Sequence, residues 1–419
     1  MTWLVVAALI IAAALGAPLF AVLGAGALAG AYAIGLDTAI LIVELNRLAA
    51  SPNFVAIPLF ILAGVILAEG GAPRRLLALC SAWLGWLPGG LAIVAIFACA
   101  FFAAFSGASG VTILALGGIL LPALTQAGYP ERFSLGLLTA SGSIGLLFAP
   151  SLAVILYALV AGVGIDDLFA AGLIPGLLLL ALFGTYSAWR ARGSVQRIVF
   201  ARPAAMAALR AGIWDLLLPV GVIAGILSGT ISVSEAAALT CGYALLLEAG
   251  IHRDLDLRRS LTHVLTEAAV LCGALLMLLG VAMGLTSLLI DIQAPMRVLD
   301  WAGGVIDSPL AFLLALNVFL LAVGCVMDIF SAIVVVAPLV VPIATRYGVD
   351  PVHLGIVFLA NLEIGYLTPP VGINLFLAMQ RFNRPIAPII RAVLPFLFIM
   401  TIWLALVTYV PALSLWWRD

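Results

Sequence analysis

The sequence predicts an all-α polytopic membrane protein, on three observations. Hydrophobic residues fill 65% of the 419 positions and charged residues 9%, against about 45–50% and about 25% in soluble domains. The apolar residues run in blocks long enough to cross a hydrocarbon core, which takes about 20 helical residues. All 18 basic residues are Arg, and they gather in alternate loops. A soluble globule of this composition lacks the polar surface to stay dispersed.

Along the chain, apolar spans fall near residues 3–35, 54–72, 132–160, 168–189, 213–229, 232–249, 264–290, 352–379 and 392–412. The first carries Gly16-Ala17-Pro18, which predicts a kink or a division into two. Its apolar run from Trp3 to Tyr32 lacks a basic start and is too long for a signal peptide. Two further apolar pairs, 88–126 and 309–345, each hold a polar break in the middle. Arg placement orients the whole. The segment from Arg190 to Arg210 has five Arg and no acid, the mark of a cytoplasmic side. Arg74, Arg75, Arg132, Arg253, Arg258, Arg259, Arg381, Arg384 and Arg391 then fall inside, and only Arg47, Arg297, Arg346 and Arg418 outside. The N-terminus is cytoplasmic and the C-terminus external in this arrangement.

The same composition excludes several classes of partner. No basic patch or tail exists, so no nucleic acid is expected. Cys80, Cys99, Cys241, Cys272 and Cys325 lie inside apolar runs without CxxC spacing, as small buried hydrophobes do. His252, His263 and His353 are scattered and show no metal-ligand spacing.

Shifted by 220 residues, the chain matches itself. Pro122 meets Pro342, Gly128 meets Gly348, Ile144-Gly145 meets Ile364-Gly365, Leu147 meets Leu367, and Pro150 meets Pro370. The Gly and Pro pairs carry most weight because those residues set backbone shape. Arg74 falls inside and Arg297 outside, so the halves are inverted, as in many secondary transporters. Each half has an amphipathic connector at the interface (73–87 with Arg74, Arg75 and Ser81; 293–308 with Arg297, Asp300 and Asp307). An apolar pair with a polar apex follows, then a span broken by Gly and Pro. Residues 1–72 are N-terminal scaffold helices, 73–189 the first repeat, 190–263 a linker with two spans, and 264–419 the second repeat.

The polar groups at membrane depth are paired in the same way. One apex reads Phe105-Ser106-Gly107-Ala108-Ser109-Gly110 and the other Gly324-Cys325-Val326-Met327-Asp328. The broken spans hold Ser141 to Ser151 and Asn361 to Asn374. Unwound backbone survives in a membrane only where it lines a protein cavity. Carbonyls freed by Pro369-Pro370, with hydroxyls and one carboxylate, are hard oxygen ligands for an alkali cation. The half-helix after each break aims its positive end at the midplane, where a carboxylate substrate fits. A charge such as Asp328 at this depth is costly and usually functional. Arms of 18–20 residues allow either a re-entrant hairpin or two full spans, and composition leaves both open. Glu235 and Glu363 read as partners in helix–helix hydrogen bonds rather than as substrate ligands.

The segment Asn361-Leu362-Glu363-Ile364-Gly365 through Thr368-Pro369-Pro370-Val371-Gly372-Ile373-Asn374-Leu375-Phe376 resembles the signature of the large membrane subunit of TRAP (tripartite ATP-independent periplasmic) transporters. Met327-Asp328 with Ser331-Ala332, Ser106-Gly107, Pro122 and Ser234-Glu235-Ala236-Ala237-Ala238 are similar to further blocks of that family. The resemblance covers essentially the whole chain. It implies an inverted-repeat, elevator-type transporter of the ion transporter superfamily, with two re-entrant hairpins and two broken transmembrane helices. It further implies sodium-driven import of an organic acid across the bacterial inner membrane, with the acid delivered by a periplasmic binding protein. A small membrane subunit, expected here on a separate chain, and surrounding lipid complete the partners, with no organic cofactor.

By matching motifs, the resemblance puts one sodium site at Ser106 and Ser109 with the backbone of Gly142, Gly145, Phe148 and Pro150. A second falls at Gly324, Asp328, Thr368 and Val371, with Gly365 shaping the turn. Substrate is expected near Ala108, Ser151 and Asn374. Ala108 departs from the Ser-Gly-Ser-Ser apex that many members carry. A stand-alone dicarboxylate symporter or sodium/proton antiporter of the same superfamily is the alternative, distinguished by transport without a binding protein. An intramembrane enzyme lacks a His/Ser/Asp or metal-ligand cluster at depth, and a channel does not account for paired broken helices.

Overall fold

A computed structural model describes residues 7–418 except 10, 13, 14, 16, 51, 108, 192–199, 294, 295, 298–305 and 307; the side chains of 19, 40, 48, 52, 53, 105, 106 and 257–259 are also left out. Every regular element among the described residues is helical. Seven of these helices are long and apolar enough to cross a membrane, and nine spans result if each sharply bent pair counts as one. The sequence-predicted Ala108 and most of the 293–308 connector, including Asp300 and Asp307, lie outside the described residues.

The N-terminal part comprises α1 (Leu19–Ile34), α2 (Ile40–Ala49) and α3 (Ala56–Glu69). Helix α1 starts directly after Pro18, in agreement with the break expected there. Helix α2 was not anticipated; Glu44 turns it toward α12 (Leu257–Asp291) by accepting the Ser287 hydroxyl at 2.8 Å. Helix α4 (Ala72–Leu84) leaves α3 at a 70° bend and is the amphipathic connector of the first half. It is pinned by Arg75, whose Nε and Nη2 donate to Asp215 at 2.8 and 2.9 Å, with Glu248 and Asp254 completing its shell. Asp215 lies on α10 (Arg202–Leu227), and Glu248 lies in a π-helical turn (Leu246–Ile251) after α11 (Val233–Leu245).

Two spans are longer than expected. Helix α10 begins at Arg202 rather than near 213, and α12 at Leu257 rather than 264. The Ala-rich stretch Ala204-Ala205-Met206-Ala207-Ala208 favours helix regardless of its Arg neighbours. At 1.5 Å per residue, 35 residues of α12 reach about 52 Å, well beyond a hydrocarbon core.

The repeat appears element by element. Helices α5 (Gly90–Ser106), α6 (Ser109–Gln126), α7 (Glu131–Ile144), α8 (Leu152–Ala161) and α9 (Ile165–Arg190) form the first set. Helices α13 (Pro309–Val326), α14 (Ile329–Arg346), α15 (Pro351–Gly365), α16 (Ile373–Phe382) and α17 (Ile386–Tyr409) form the second, each starting 219–221 residues after its counterpart. Even the stops match. At Gly128 the chain turns left-handed (φ 95°), and Tyr129 N–H returns to Leu124 O at 3.0 Å. At Gly348 (φ 79°) Val349 N–H returns to Ala344 O at 3.0 Å. Both are Schellman caps, which need a residue tolerant of positive φ.

Packing follows the same pairing. Helix α5 lies on α7 as α13 lies on α15, and α7 meets α17 as α15 meets α9. The second half-helices are exchanged: α8 packs on α14 of the other repeat, and α16 on α6. Packed aromatic rings lock the α7–α9–α17 corner, with Phe396 at 5.8, 5.2 and 5.3 Å from Phe133, Phe183 and half-buried Tyr186. On the other side a buried polar chain ties α13, α15 and α17. Asn361 Nδ2 donates to Asn317 Oδ1 (2.7 Å), Asn317 Nδ2 to Thr408 Oγ1 (3.1 Å), and His353 bridges Thr408 O and Ser414 Oγ. Such a network holds helices together where apolar surface alone gives no direction.

Candidate functional site

Both hairpin tips meet the helix breaks at the centre of this arrangement. Helix α5 ends at Ser106, Gly107 turns left-handed (φ 66°) with its N–H on Ala103 O at 3.0 Å, and α6 starts at Ser109. The first break runs through a 3-10 turn (Gly145–Leu147) to a 45° bend and α8. The second runs from Tyr366 through Pro369-Pro370 to Gly372 and α16.

Two glycine approaches set the spacing. A Cβ on Gly145 would stand 2.7 Å from Ala104 N, and one on Gly365 would stand 2.6 Å from Gly324 Cα. Gly145 and Gly365 are repeat counterparts, as are Ala104 and Gly324. Each break thus lies backbone to backbone against the hairpin of its own repeat. Gly142 adds to the first approach, since a Cβ there would sit 3.0 Å from Ser109 O.

Crossed hydrogen bonds then join the repeats. Buried Asn374, on α16, accepts from Ser109 Oγ and donates to Ser143 Oγ, each at 2.9 Å. The side chain expected to touch substrate therefore braces the start of α6 against α7. Within the second repeat, Gly372 N–H donates to Cys325 O at 3.2 Å, and the Tyr366 hydroxyl accepts from Ile329 N–H at the second tip. Ser143 and Tyr366 were not singled out from sequence; the repeat offset from Glu363 and the signature position between Gly365 and Thr368 were the only signals.

The other expected ligands fall into place around these contacts. Asp328 caps α14, its Oδ2 accepting from Phe330 N (3.1 Å) and Ser331 N (3.0 Å), while Oδ1 takes the Ser331 hydroxyl. Thr368 Oγ1 donates to Ile364 O at 2.8 Å, which leaves its lone pairs open. Phe148 is half-buried, Pro150 buried and Val371 exposed at the far side of its break. Ser151 is fully buried, and its hydroxyl has no partner among the described residues. The side chain of Ser106 lies outside them.

Expectations for two acids are corrected. Among the described residues Glu235 makes no bond to another helix; its carboxylate accepts Ser232 N–H at 2.7 Å in a capping box on α11. Glu363 is fully buried, yet neither carboxylate oxygen has a hydrogen-bond partner among the described residues. Scattered spacing also hid one surface group: Glu69, His263 and Glu267 bring ligand atoms within 4.8 Å of one another, all exposed.

Helix ends supply the electrostatics. Four helices begin here (α6, α8, α14, α16) and four end here (α5, α7, α13, α15). The starts carry partial positive charge and the ends partial negative charge. Cations favour the ends, with their unspent carbonyls, and an anion favours the starts. One compact region can therefore hold an alkali cation beside a carboxylate.

Paired hairpins seated on paired broken helices define a membrane transporter. Residues 4–413 match the family described as "Tripartite ATP-independent periplasmic transporter, DctM component", and the chain belongs to that family. It is 37% identical to a C4-dicarboxylate TRAP transporter large permease of Pseudomonas aeruginosa, over 87% of this chain and 85% of that one. It is 31% identical to the ectoine TRAP transporter large permease of Halomonas elongata, over 100% and 99%. A longer relative, the isethionate TRAP transporter permease DctMQ of Oleidesulfovibrio alaskensis, is 37% identical, and this chain spans 57% of it. The Alcanivorax borkumensis YdaH transporter shares the fold, with a TM-score of 0.61 at 16% identity over 88% of this chain and 86% of that one.

Proposed function

We propose that this chain is the large permease of a sodium-coupled importer for an organic acid, a carboxylate or sugar acid, in the bacterial inner membrane. The observation that carries the reading is the duplicated meeting of hairpin tip and helix break, at Gly145 with Ala104 and at Gly365 with Gly324. Each meeting gathers hydroxyls, freed carbonyls and helix ends, the donor set a desolvated sodium ion needs. Ser106, Ser109, Gly142, Gly145, Phe148 and Pro150 form one cation site; Gly324, Asp328, Gly365, Thr368 and Val371 form the other. Ala108, Ser151 and Asn374 face the substrate between them, Asn374 exchanging its serine partners for the acid.

The hairpins reach only to the breaks, which divide their spans into halves of 14 and 10 residues (α7, α8) or 15 and 10 residues (α15, α16). That depth supports re-entrant hairpins. The hairpins and broken spans move as one rigid body, an elevator against the remaining helices, with the N-terminus cytoplasmic and the C-terminus periplasmic. A small membrane subunit on a separate chain packs on this scaffold, and a periplasmic binding protein delivers the acid.

The energetics suffice without ATP. Moving one net charge through 100 mV supplies about 2.3 kcal/mol, and each sodium ion adds about 1.4 kcal/mol per tenfold gradient. Two ions with a monovalent acid then sustain roughly a 10³-fold gradient of substrate. The test is uptake into proteoliposomes holding both membrane subunits, with the binding protein outside. Uptake should require an inward sodium gradient and the binding protein. Transport that persists unchanged without the gradient rejects the coupling, and transport without the binding protein favours a stand-alone symporter.

A further inference from the structure

The tips of the two hairpins are held by different devices. Helix α14 opens at the second tip with backbone N–H groups that need partners, as every helix start does. Ala332 N–H returns to Asp328 O at 2.9 Å, and the N–H groups of Phe330 and Ser331 reach the Asp328 carboxylate. That leaves buried Ile329, whose N–H donates to the Tyr366 hydroxyl. Asp328 and Tyr366 thus complete the cap between them, one from the tip and one from the break.

Tyr366 is itself fixed on both sides of its backbone. At the end of α15 its N–H donates to Leu362 O at 3.0 Å, and its carbonyl accepts Asn374 N–H at 3.2 Å. Its side chain is buried, and the preceding Gly365 lies against Gly324. Among the described residues, Tyr366 is the one side chain of either break that hydrogen-bonds the tip of its own hairpin. Its repeat counterpart is Leu146, which has no polar atom to do the same. Hairpin 1 is tied instead through Ser109 to Asn374 of the other repeat.

We propose that Tyr366 is a positioning residue for the second cation site, latching the tip of hairpin 2 onto the second break. Gly324 and Asp328 come to that site from the hairpin, and Thr368 and Val371 from the break. An ion that must first draw an untied tip inward binds more weakly, in proportion to the fraction of molecules with the tip seated. The latch also lies outside the contacts that substrate displaces. When the acid takes Asn374 from its serines, hairpin 1 loses that tie and hairpin 2 keeps its own. This inference rests on the sodium-coupled reading above.

The experiment is a sodium titration of uptake into proteoliposomes holding both membrane subunits, with the binding protein outside. Tyr366→Phe removes the acceptor and keeps the ring, whereas Ile329→Pro removes the donor. Proline suits the first position of a helix, and Asp328 before it is already extended (ψ 159°), as the residue before proline must be. Each variant should raise half-maximal sodium about tenfold, the equivalent of about 1.4 kcal/mol. Substrate KM at saturating sodium should stay as in the wild type. The double variant should shift no further than either single one, because both delete the same bond. Tyr157→Phe is the control. It deletes the hydroxyl of another buried tyrosine, which donates to Pro351 O at 3.1 Å at the far end of α15, and should leave the sodium response alone. An unaltered sodium response in Tyr366→Phe, an equal shift in Tyr157→Phe, or full additivity in the double variant overturns the inference while the sodium-coupled reading stands. Wild-type uptake indifferent to sodium overturns both. Should Tyr366→Phe fail to fold, Ile329→Pro decides alone, an unaltered sodium response overturning the inference.

Discussion

At the scale of single residues, two substitutions separate packing from charge. Gly365→Ala forces a methyl group toward Gly324 Cα, which a Cβ would approach to 2.6 Å, and both sides of that contact are backbone. Overpacking of this kind costs about 1–3 kcal/mol, so the purified protein should unfold at lower temperature and lose uptake. Gly184→Ala is the matched control, because a Cβ there meets nothing within 4 Å. A melting temperature unchanged in Gly365→Ala would show that the hairpin tip does not seat on the break. Asp328 has two duties, as cap of α14 and as proposed sodium ligand. Asn caps as well as Asp, whereas Ala forfeits about 1 kcal/mol. Asp328→Asn should therefore keep the melting temperature yet shift half-maximal uptake to higher sodium, and Asp328→Ala should lose both. An unaltered sodium response in Asp328→Asn removes this residue from the site.

At the scale of elements, legibility followed how local each cause is. The hairpins, the broken spans and the α4 connector could be read because Gly, Pro and polar residues interrupt otherwise apolar runs. Those signals lie within a few residues of their effect. Helix α10 was started late because Arg202 and Arg210 read as loop charge, although the alanines between them decide the backbone. Helix α2 escaped because ten residues with Glu44 and Arg47 resemble a polar loop more than a span. The brace from Asn374 to Ser109 spans 265 residues, and no local pattern announces it. The isolation of Glu363 is likewise a property of its neighbours, not of its own helix. The anchor of α4 is another long-range cause, and it predicts a large effect. Arg75→Ala leaves Asp215 and Glu248 buried without their cation, at a cost of about 3–5 kcal/mol. Adding Glu248→Gln removes one stranded charge and should recover part of the loss in melting temperature. Strict additivity of the two changes would show that they do not share one network.

At the scale of the whole molecule, exchange of half-helices has a mechanical consequence. Helix α8 packs on α14 and α16 on α6, so neither repeat can move without carrying part of the other. With Asn374 bonded to Ser109 and Ser143 across the same boundary, the two repeats form one interlocked body. The face that α8 and α14 turn toward α3 and α12 is apolar and, among the described residues, lacks such locks. A small gap lined by Ile57, Leu152, Leu156, Leu275, Leu276, Leu279 and Phe330 lies on it, with α3 and α12 on one side and α8 and α14 on the other. Apolar faces without crossed hydrogen bonds can slide at little cost inside a membrane, because lipid-like contacts are exchanged for others of the same kind. The elevator reading then makes an asymmetric prediction in a background where the five native cysteines are replaced. A short thiol-reactive bridge between Leu275→Cys and Phe330→Cys ties α12 to α14 and should lower uptake more than about tenfold, the equivalent of about 1.4 kcal/mol on the barrier. A bridge between Leu156→Cys and Phe330→Cys joins two positions that travel together and should leave uptake near that of the unbridged protein. Reduction of a cleavable bridge should restore transport in the first case. Equal inhibition by both bridges would place the motion inside the interlocked body, and equal tolerance would place it away from the α12–α14 boundary.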